Sequence, residues 1–146
     1  YIHPTQTPET EFKHIPKVKA RLSAGGGSFE IGSEIKGYYA FQSEWLGTKG
    51  NPEKMVLMDI FGNSMEPELK DGDTVLIDES QKDILAGAVY AVGVDDTIMV
   101  KRIEKHPNKL VLISDNTDYA PVYLDGGDCA SVRIIGKVIW VGREFR

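Results

Sequence analysis

Short apolar runs separated by turn signals are the feature that most limits how this chain can fold. Each run is apolar almost throughout or alternates apolar with polar residues, as buried and half-buried strands do. The runs are IPKVKARL (15–22), KMVLMDIFG (54–62), DTVLIDES (73–80), AVYAVGV (88–94), TIMVKRIEK (97–105), KLVLIS (109–114) and RIIGKVIWVGREF (133–145). Turn-forming pairs such as Asp71-Gly72 and Pro107-Asn108 lie between them. The pattern predicts a mainly β fold, an antiparallel sheet or a partly closed barrel, with little helix.

Two other stretches complete the predicted organisation. Residues 1–14 contain prolines, threonines and acidic residues without a periodic apolar face, so we expect a linker or arm there. One ordered domain should then occupy residues 15–146. Residues 37–47 are the best candidate for a helical turn, because Phe41 and Trp45 are four positions apart and would share one face.

The balance of charges argues against direct DNA recognition by this chain. It contains 17 basic and 22 acidic residues, and its net charge of −5 repels a phosphate backbone unless basic side chains are clustered. They are not clustered, since neighbours such as Lys17, Lys19 and Arg21 are separated by apolar residues. The chain alone is therefore a poor candidate for a DNA-reading domain.

Cysteine and histidine usage argue against disulfides and metal sites. A single cysteine, Cys129, excludes an internal disulfide and suits a reducing cytoplasm, where it would pack as a small apolar side chain. The three histidines, His3, His14 and His106, lack metal-ligand spacing. No apolar run approaches the roughly twenty residues of a membrane span, and residues 1–11 lack the features of a signal peptide. We expect a cytoplasmic protein that needs no metal and no cofactor.

One serine lies between a predicted buried strand and an acidic, turn-rich run, in FGNSMEPELKDGD (61–73). Asn63 or Ser64 could cap a short helical turn, and Asn63 with Glu66 has the spacing of a capping box. Alternatively, Ser64 is a nucleophile, which requires a neighbouring base to take the hydroxyl proton. The local sequence is compatible with both interpretations.

Lys101 is the candidate for that base. Strand alternation in TIMVKRIEK puts Met99, Lys101 and Ile103 on one face. A lysine there could extend its ammonium to solvent. Alternatively, apolar neighbours disfavour the charge, and the neutral amine acts as a base. Lowering a lysine pKa from about 10.4 to 7 requires disfavouring the charge by roughly 4.6 kcal/mol, which burial can supply.

Several motifs in order resemble one known family. GNSMEPELKDGDTVLID (62–78), Lys101 in VKRI 37 positions after Ser64, LVLISDNTDYAP (110–121) and IIGKVIWVGREF (134–145) resemble the self-cleaving peptidase domain shared by LexA, lambda-type phage repressors and the UmuD mutagenesis proteins. The resemblance extends from about residue 15 to residue 146. It implies the antiparallel β fold of LexA and signal peptidases, with Ser64 as nucleophile and Lys101 as general base.

The resemblance also implies a substrate within the chain itself. The family cuts its own backbone between a small residue and glycine upstream of the serine, and RLSAGGGSFE (21–30) offers Ala24-Gly25. Small residues suit a narrow cleft, and glycine permits a sharp bend, although without a catalytic pair AGGGS would be a flexible hinge. We expect the backbone amides of Ser64 and Asn63 to be the oxyanion donors, because the chain turns there.

The repressor branch of the family fits best, since EIKGYYAFQSEWLG (34–47) resembles it more than the mutagenesis branch. We interpret the chain, which begins with Tyr1 rather than methionine, as the C-terminal part of a phage-type repressor whose N-terminal helix-turn-helix domain is missing. The resemblance implies self-cleavage on an SOS-type signal, usually a RecA filament, and operator binding only through the missing domain. We also expect a homodimer built partly from the apolar residues 139–141.

Two alternatives remain open at this stage. The first is a UmuD-like polymerase accessory protein that is activated, rather than inactivated, by self-cleavage. The second belongs to another functional class, a dimerisation module in which the serine and lysine never react. Self-cleavage of the purified protein distinguishes the second alternative, and the sequence upstream of Tyr1 distinguishes the first.

Overall fold

The computed structural model describes residues 10–19 and 35–145, and these residues build one sheet of nine strands. The strands are β1 (Phe12–Val18), β2 (Ile35–Gln42), β3 (Met55–Asp59), β4 (Thr74–Asp78), β5 (Val89–Val94), β6 (Thr97–His106), β7 (Lys109–Ile113), β8 (Val122–Asp125) and β9 (Val132–Gly142). The helical elements of the described residues are α1 (Ser43–Lys49) and two 3-10 turns, Pro52–Lys54 and Gly126–Ser131. The prediction of a mainly β fold with little helix is confirmed.

The sheet is ordered β2-β1-β3-β4-β9-β5-β6-β7-β8 and does not close into a barrel. All of its strand pairs are antiparallel except β1 with β3, which meet in parallel at Lys17 and Leu57. This single parallel contact is the departure from the antiparallel sheet expected from the sequence. It brings the end of β1 beside β3, and β3 leads directly into the loop that carries Ser64.

The core is built from the apolar runs that the sequence predicts as strands. In β4, Val75, Leu76 and Ile77 are fully buried, and β3 is buried along most of its length. Burial on both faces explains why these runs are continuously apolar rather than alternating. Because β3 and β4 flank the serine loop, two deeply buried strands hold both of its ends.

The predicted helical turn begins later than expected. Residues 37–42 belong to β2, which pairs with β1, and α1 begins only at Ser43. The predicted contact between Phe41 and Trp45 does form, with stacked rings 6.0 Å apart, but it crosses the junction between strand and helix. Pairing with β1 overrides the helical spacing of the aromatic residues.

Strand boundaries differ from the sequence pattern in two other places. β1 begins at Phe12, so it extends three residues into the segment predicted to be a linker. The edge strand β8 was missed, because its residues are mostly exposed and show no apolar alternation. Edge strands without a buried face lack the signal on which strand prediction depends.

Residues 139–141, from which the sequence predicts part of a dimer surface, lie in β9. β9 lies in the interior of the sheet, between β4 and β5. Ile139 and Trp140 pack against a buried cluster, with the ring of Trp140 edge-on to Phe41 at 5.2 Å. Val141 alone of the three is an exposed large hydrophobic residue. Packing within the chain explains the apolar character of Ile139 and Trp140, and the role of the three residues in a dimer stays a prediction.

Candidate active site

Ser64 lies in the loop between β3 and β4, and the backbone of this loop is closed by hydrogen bonds at its base. Ile60 N donates to Asp73 O at 2.7 Å, and Gly72 N donates to Ile60 O at 2.8 Å. Gly62, at a φ of 82°, adopts a left-handed conformation that favours glycine. The loop is therefore an extension of the β3–β4 hairpin, with Ser64 near its apex.

The residues that follow Ser64 anchor it to the core. Met65 and Leu69 are almost completely buried and belong to the same apolar cluster as Val56 and Val75 of the adjacent strands. Leu69 N donates to Met65 O at 2.9 Å, which closes a helical turn directly after the serine. Ser64 itself is only partly buried. This arrangement holds the serine backbone rigidly while leaving its hydroxyl accessible.

Asn63 does not form the predicted capping box. Its side-chain Oδ1 accepts a hydrogen bond from the Tyr119 hydroxyl at 2.6 Å, and its backbone carbonyl accepts from Asn116 Nδ2 at 2.9 Å. Glu66 N donates to the Asn63 backbone carbonyl at 3.2 Å rather than to its side chain. The asparagine thus links the serine loop to the segment that follows β7.

Lys101 lies in β6, and its pKa is lowered because burial disfavours the ammonium. It lies opposite Tyr90 of β5, which is fully buried, and it shares its face with buried Ile103. Its Nζ lies 5.7 Å from the centroid of the Tyr119 ring. The sequence-based alternative of a lysine fully extended into solvent therefore does not describe this side chain.

Ser64 and Lys101 line the same cavity, of about 470 Å³, but no hydrogen bond joins them. Lys101 Nζ donates instead to Ser114 Oγ, at 2.8 Å. The cavity is otherwise mainly apolar, with Met58, Ile98 and Val122 among its lining residues. A mainly apolar cavity containing a hydroxyl and an amine of lowered pKa is suited to acyl transfer by a serine nucleophile.

The backbone amides of Ser64 and Asn63 remain candidates for oxyanion donors. Within residues 10–19 and 35–145, neither amide donates to a backbone carbonyl, whereas the Ser64 carbonyl accepts from Asn116 N at 3.0 Å. Amides that are free of a backbone ladder can turn toward a developing negative charge. Their role stays a prediction.

The predicted cleavage site, Ala24-Gly25, lies outside the described residues, but the two ends of its segment lie close to the serine loop. Asp59, the last residue of β3, accepts from Lys17 of β1 at 2.7 Å and from Lys36 of β2 at 3.0 Å. Burial, the largest single influence, raises the pKa of Asp59, but its bonds to Lys17, Lys36 and Thr74 outweigh burial and hold that pKa below its usual range.

A second cavity, of about 620 Å³, lies where these two ends emerge. It is lined by Val18 and Lys19 at the end of β1 and by Lys36 at the start of β2. Asp59, Phe61 and Ile98 line both this cavity and the one containing Ser64. The two cavities are therefore adjacent, one at the ends of the segment and the other at the serine, and together we call them the groove.

The segment after β7 supplies site residues that sequence reasoning did not single out. Ser114, Asn116 and Tyr119 contact Lys101, Ser64 and Asn63, respectively. They lie within LVLISDNTDYAP, which was recognised only as a stretch resembling the family. Polar residues directly after a strand paired with the lysine strand are the signal that could have identified them.

The described residues contain no group of three or more histidine, cysteine, aspartate or glutamate side chains arranged to hold a metal ion. Cys129 is unpaired and partly buried, and its thiol contacts the backbone carbonyl of Leu124 at 3.1 Å. In this part of the chain, no helix has both the length and the apolar character needed to cross a membrane.

Comparison with known proteins identifies the family to which the chain belongs. Residues 16–139 match the model of the Peptidase S24-like family. The chain is 32% identical over 127 residues to an uncharacterized HTH-type transcriptional regulator of Haemophilus influenzae. The aligned region covers 85% of this chain and 53% of that protein. It is 26% identical over 134 residues to the 26 kDa repressor protein of Escherichia phage HK022, covering 88% of this chain and 57% of the repressor.

A third relative, the Repressor protein CI of Enterobacteria phage phi80, is 33% identical over 96 residues, covering 65% of this chain and 39% of that protein. The chain thus spans about half the length of the curated relatives it matches, or less. The family match includes the serine loop, the lysine strand and the segment after β7. The chain belongs to the Peptidase S24-like family.

Proposed function

We propose that this chain is the self-cleaving domain of a phage-type transcriptional repressor, in which Ser64 and Lys101 cut the Ala24-Gly25 bond of the same protein. The observation that carries the proposal is the shared cavity, where the Ser64 hydroxyl lies with a lysine whose pKa is lowered by burial. Membership of a peptidase family and relatives that are repressors support it.

In the first step, neutral Lys101 Nζ takes the proton of the Ser64 hydroxyl as Oγ bonds to the carbonyl carbon of Ala24. The carbonyl oxygen becomes an oxyanion, which the amides of Ser64 and Asn63 stabilise. When this intermediate collapses, the Ala24-Gly25 bond breaks, and the Lys101 ammonium gives its proton to the departing Gly25 nitrogen. The products are an ester between Ala24 and Ser64 and a chain that begins at Gly25.

In the second step, water hydrolyses the ester. Lys101, neutral again, takes a proton from water as the oxygen attacks the ester carbonyl. The Ser64 oxygen then leaves and recovers a proton from Lys101. Residues 1–24 are released with a new carboxylate at Ala24, and both catalytic side chains return to their starting protonation states.

Chain geometry supports cleavage within one molecule. Lys19 lines the cavity next to the site, and Ala24 follows it by five residues. Five residues span at most roughly 17 Å when extended. The groove formed by the two adjacent cavities lies in the direction of Ser64. The uncut chain survives, in this proposal, because the segment is docked only part of the time and Lys101 must lose its proton before it can act as a base.

The test is spontaneous cleavage of the purified protein, followed by mass spectrometry from pH 7 to about pH 10. We expect fragments of residues 1–24 and 25–146, at a rate that rises with pH as Lys101 loses its proton. Ser64→Ala and Lys101→Ala should each abolish the cut without loss of folding. A cut at another bond, a rate that falls with pH, or continued cleavage by either variant contradicts the proposal.

Dilution distinguishes cleavage within a chain from cleavage between chains. A rate independent of protein concentration is expected for an intramolecular reaction. Because a stable dimer that exchanges segments would also give first-order kinetics, Ser64→Ala chains should be mixed with Ala24→Asp chains. Cleavage of the Ser64→Ala chains in that mixture would show that the partner's serine reaches them.

Repression and its release follow from the same proposal. The relatives extend well beyond the part that this chain matches, and one is an HTH-type regulator. We infer that a DNA-binding domain precedes this one, that the domain pairs two repressors, and that cleavage separates DNA binding from pairing. Two joined operator-binding domains bind far more tightly than one, so cleavage releases the operator. A RecA filament that favours the docked segment is the proposed inducing signal.

Sedimentation tests the pairing. We expect a homodimer of the 16.2 kDa chain at tens of micromolar, and a monomer at that concentration would contradict the proposal. Adding RecA filaments to the full-length protein should accelerate cleavage, and an unchanged rate would exclude RecA as the signal. A sequence upstream that lacks a helix-turn-helix would favour the UmuD-like accessory role over repression.

A further inference from the structure

We propose that Ser114 is a positioning residue that holds the Lys101 amine at the point from which it acts on Ser64. This inference rests on the proposed function. Its direct observation is the 2.8 Å hydrogen bond from Lys101 Nζ to Ser114 Oγ. The amine therefore has a fixed partner in the cavity even though no bond joins it to the nucleophile.

Sheet register fixes where the Ser114 hydroxyl lies. Arg102 opposite Ile113 is the last pair of the β6–β7 ladder, and Lys101 and Ser114 are the residues next to that pair on either side. Directly opposed residues of an antiparallel pair have Cβ atoms about 5 Å apart on the same face. Strand pairing thus places Ser114 next to Lys101, directly beyond the last pair of the ladder.

The residues on the far side of Ser114 extend this restraint beyond the end of β7. Arg102 binds both carboxylate oxygens of Asp115, at 2.6 and 3.1 Å, and also donates to the Gly87 carbonyl. Paired, two-point bonds between arginine and a carboxylate are both strong and directional. Asn116 N then donates to the Ser64 carbonyl at 3.0 Å. Ser114 is consequently held between the β6–β7 ladder and the backbone of the nucleophile.

This arrangement gives Ser114 a defined role when Lys101 is neutral. A neutral amine has two N–H groups and one lone pair. If one N–H donates to Ser114 Oγ, the nitrogen stays inside the cavity, and the lone pair remains available for the Ser64 proton. Without that acceptor, the four-carbon lysine side chain is free to leave the cavity. The predicted defect is misplacement of the base, and it persists even when the base is fully deprotonated.

Other titratable and charged groups near the cavity also influence how the cleavage rate depends on pH. Among the described residues, Asp59 and Tyr119 are the other titratable side chains that line it. Arg102 and Asp115 are paired beside it. These groups are unchanged in a Ser114 variant, so comparing complete rate profiles against pH isolates the effect of the hydroxyl.

The experiment measures the rate of Ala24-Gly25 cleavage against pH in the wild type, Ser114→Ala and Ser114→Thr. The alanine variant should lower the limiting rate at high pH about 10- to 100-fold, since small misplacements of a catalytic group have effects of this size. The threonine variant keeps a hydroxyl and should recover most of the rate. Thr117→Ala, an exposed position in the same segment, is the matched control and should behave as wild type.

Each outcome decides between explanations. If Ser114→Ala keeps the wild-type limiting rate at high pH, the assignment is wrong, whether or not the midpoint of its pH profile shifts. The assignment is also wrong if Ser114→Thr cleaves no faster than Ser114→Ala. If the alanine variant does not fold, Ser114→Cys takes its place, because it keeps the size and weakens the acceptor; a wild-type rate there overturns the assignment. Failure of the wild-type chain to cleave at any pH overturns the proposed function itself, and the Ser114 role with it.

Discussion

Asp78 at the end of β4 and Lys101 in β6 are both ionisable groups withdrawn from water, but the protein solvates them in opposite ways. The fully buried Asp78 carboxylate accepts four hydrogen bonds from three residues: Ser80 N and Oγ at 2.9 and 2.6 Å, Gln81 Nε2 at 2.7 Å and Asn51 N at 3.1 Å. Lys101 has one hydroxyl acceptor and an aromatic ring. The difference in the number of partners decides which charge is stable.

The pKa directions follow from those partners. Burial, the largest influence, raises the pKa of Asp78, but the bonds from Gln81, Ser80 and Asn51 outweigh it and hold the pKa below its usual range. For Lys101, burial lowers the pKa and nothing offsets it. A carboxylate whose charge is stabilised by neutral hydrogen-bond donors suits a structural role. A lysine whose charge is poorly solvated loses its proton more easily, so its neutral amine is suited to act as a base.

Close packing strengthens the contrast. A Cβ on Gly50 would lie 1.9 Å from Asp78 Oδ2, and one on Gly136 would lie 2.5 Å from the Asp78 backbone oxygen. The Asp78 site therefore has no room for a further atom. Lys101 instead borders a cavity of about 470 Å³, which leaves space for a substrate. The fully buried Asp78 thus lies in a closely packed site, whereas the partly buried Lys101 lies beside an open cavity.

The largest expected effect comes from removing the charge at Lys101. Lys101→Met should lower the cleavage rate at least about 10³-fold, since it removes the general base. The free energy of unfolding should stay the same or rise, because a poorly solvated charge is replaced by an apolar side chain of similar length. Cleavage assays and urea unfolding at pH 7 measure the two quantities.

Lys105→Met, at an exposed position on the same strand, is the control for Lys101→Met. It should leave both the cleavage rate and the unfolding free energy unchanged. A marked loss of stability in Lys101→Met would mean that the lysine charge is well solvated in the folded state. The comparison with Asp78 would then fail.

Removing the charge at Asp78 should lower stability and leave cleavage unchanged, the reverse of the effect expected for Lys101→Met. Asp78→Ala leaves the donors of Ser80, Gln81 and Asn51 without their acceptor, and it should lower the free energy of unfolding by about 3 kcal/mol. The cleavage rate per folded molecule should be close to wild type, because Asp78 does not line the site cavity. Asp83→Ala, at an exposed carboxylate, is the matched control and should change neither quantity.

These contrasts show what the sequence could predict and what it could not. Continuous apolar runs predicted β3 and β4, and strand alternation predicted that Lys101 shares a face with Ile103. Both predictions were possible because both signals are local in the sequence. The partner of Lys101 depends on the β6–β7 register, which is set by the two-residue turn in which Asn108 adopts a φ of 60°. Turn residues were recognised in the sequence, but the backbone angles that align Ser114 with Lys101 were not.

The same reasoning explains the misplaced start of α1. Residues up to Gln42 carry helix-like aromatic spacing, yet their backbone groups pair with β1 over nearly the whole strand. Non-local pairing of this kind leaves no signature within an eleven-residue window. Asp78 was likewise included in a predicted strand with no sign of its four donors, one of which, Asn51 N, comes from a distant part of the chain.

A third prediction uses acid to compare carboxylates with different partners. Two hydrogen bonds from Arg143, at 2.7 Å each, are the largest influence on the pKa of Asp73, and they lower it. Burial raises this pKa by less, so the pKa lies below its usual range. Because the folded pKa of both Asp73 and Asp78 lies below the unfolded value of about 3.9, each stabilises the fold above that pH. Their contribution is lost as the pH falls through the folded pKa.

Urea unfolding followed by tryptophan fluorescence between pH 3 and pH 7 measures this loss. Stability should be nearly constant at the upper end and fall below about pH 4. Arg143→Met removes the largest influence on Asp73, so its acid transition should move to higher pH. An identical transition in that variant would show that Arg143 does not set the pKa of Asp73.

The smallest expected effect concerns Asp59, which is intermediate between the two extremes. Its carboxylate is paired with Lys17 and Lys36, yet it lines both cavities of the groove. Because those lysines belong to β1 and β2 at the two ends of the proposed cleavage segment, Asp59→Asn should loosen both ends relative to Ser64. We expect cleavage to slow by about 3- to 10-fold, as fewer molecules hold the segment in the groove.

A double-mutant comparison with Lys36→Met separates this effect from a general loss of charge. If the Asp59–Lys36 ion pair is responsible, the variant with both changes should cleave about as slowly as Asp59→Asn alone. The first change already removes the contact, so the second has nothing further to remove. Independent, multiplying reductions would instead indicate that Asp59 acts through Lys17 or through the Thr74 hydroxyl, which donates to it at 3.0 Å. Lys17→Met then distinguishes these two, because only a pair with Lys17 would make that change redundant with Asp59→Asn.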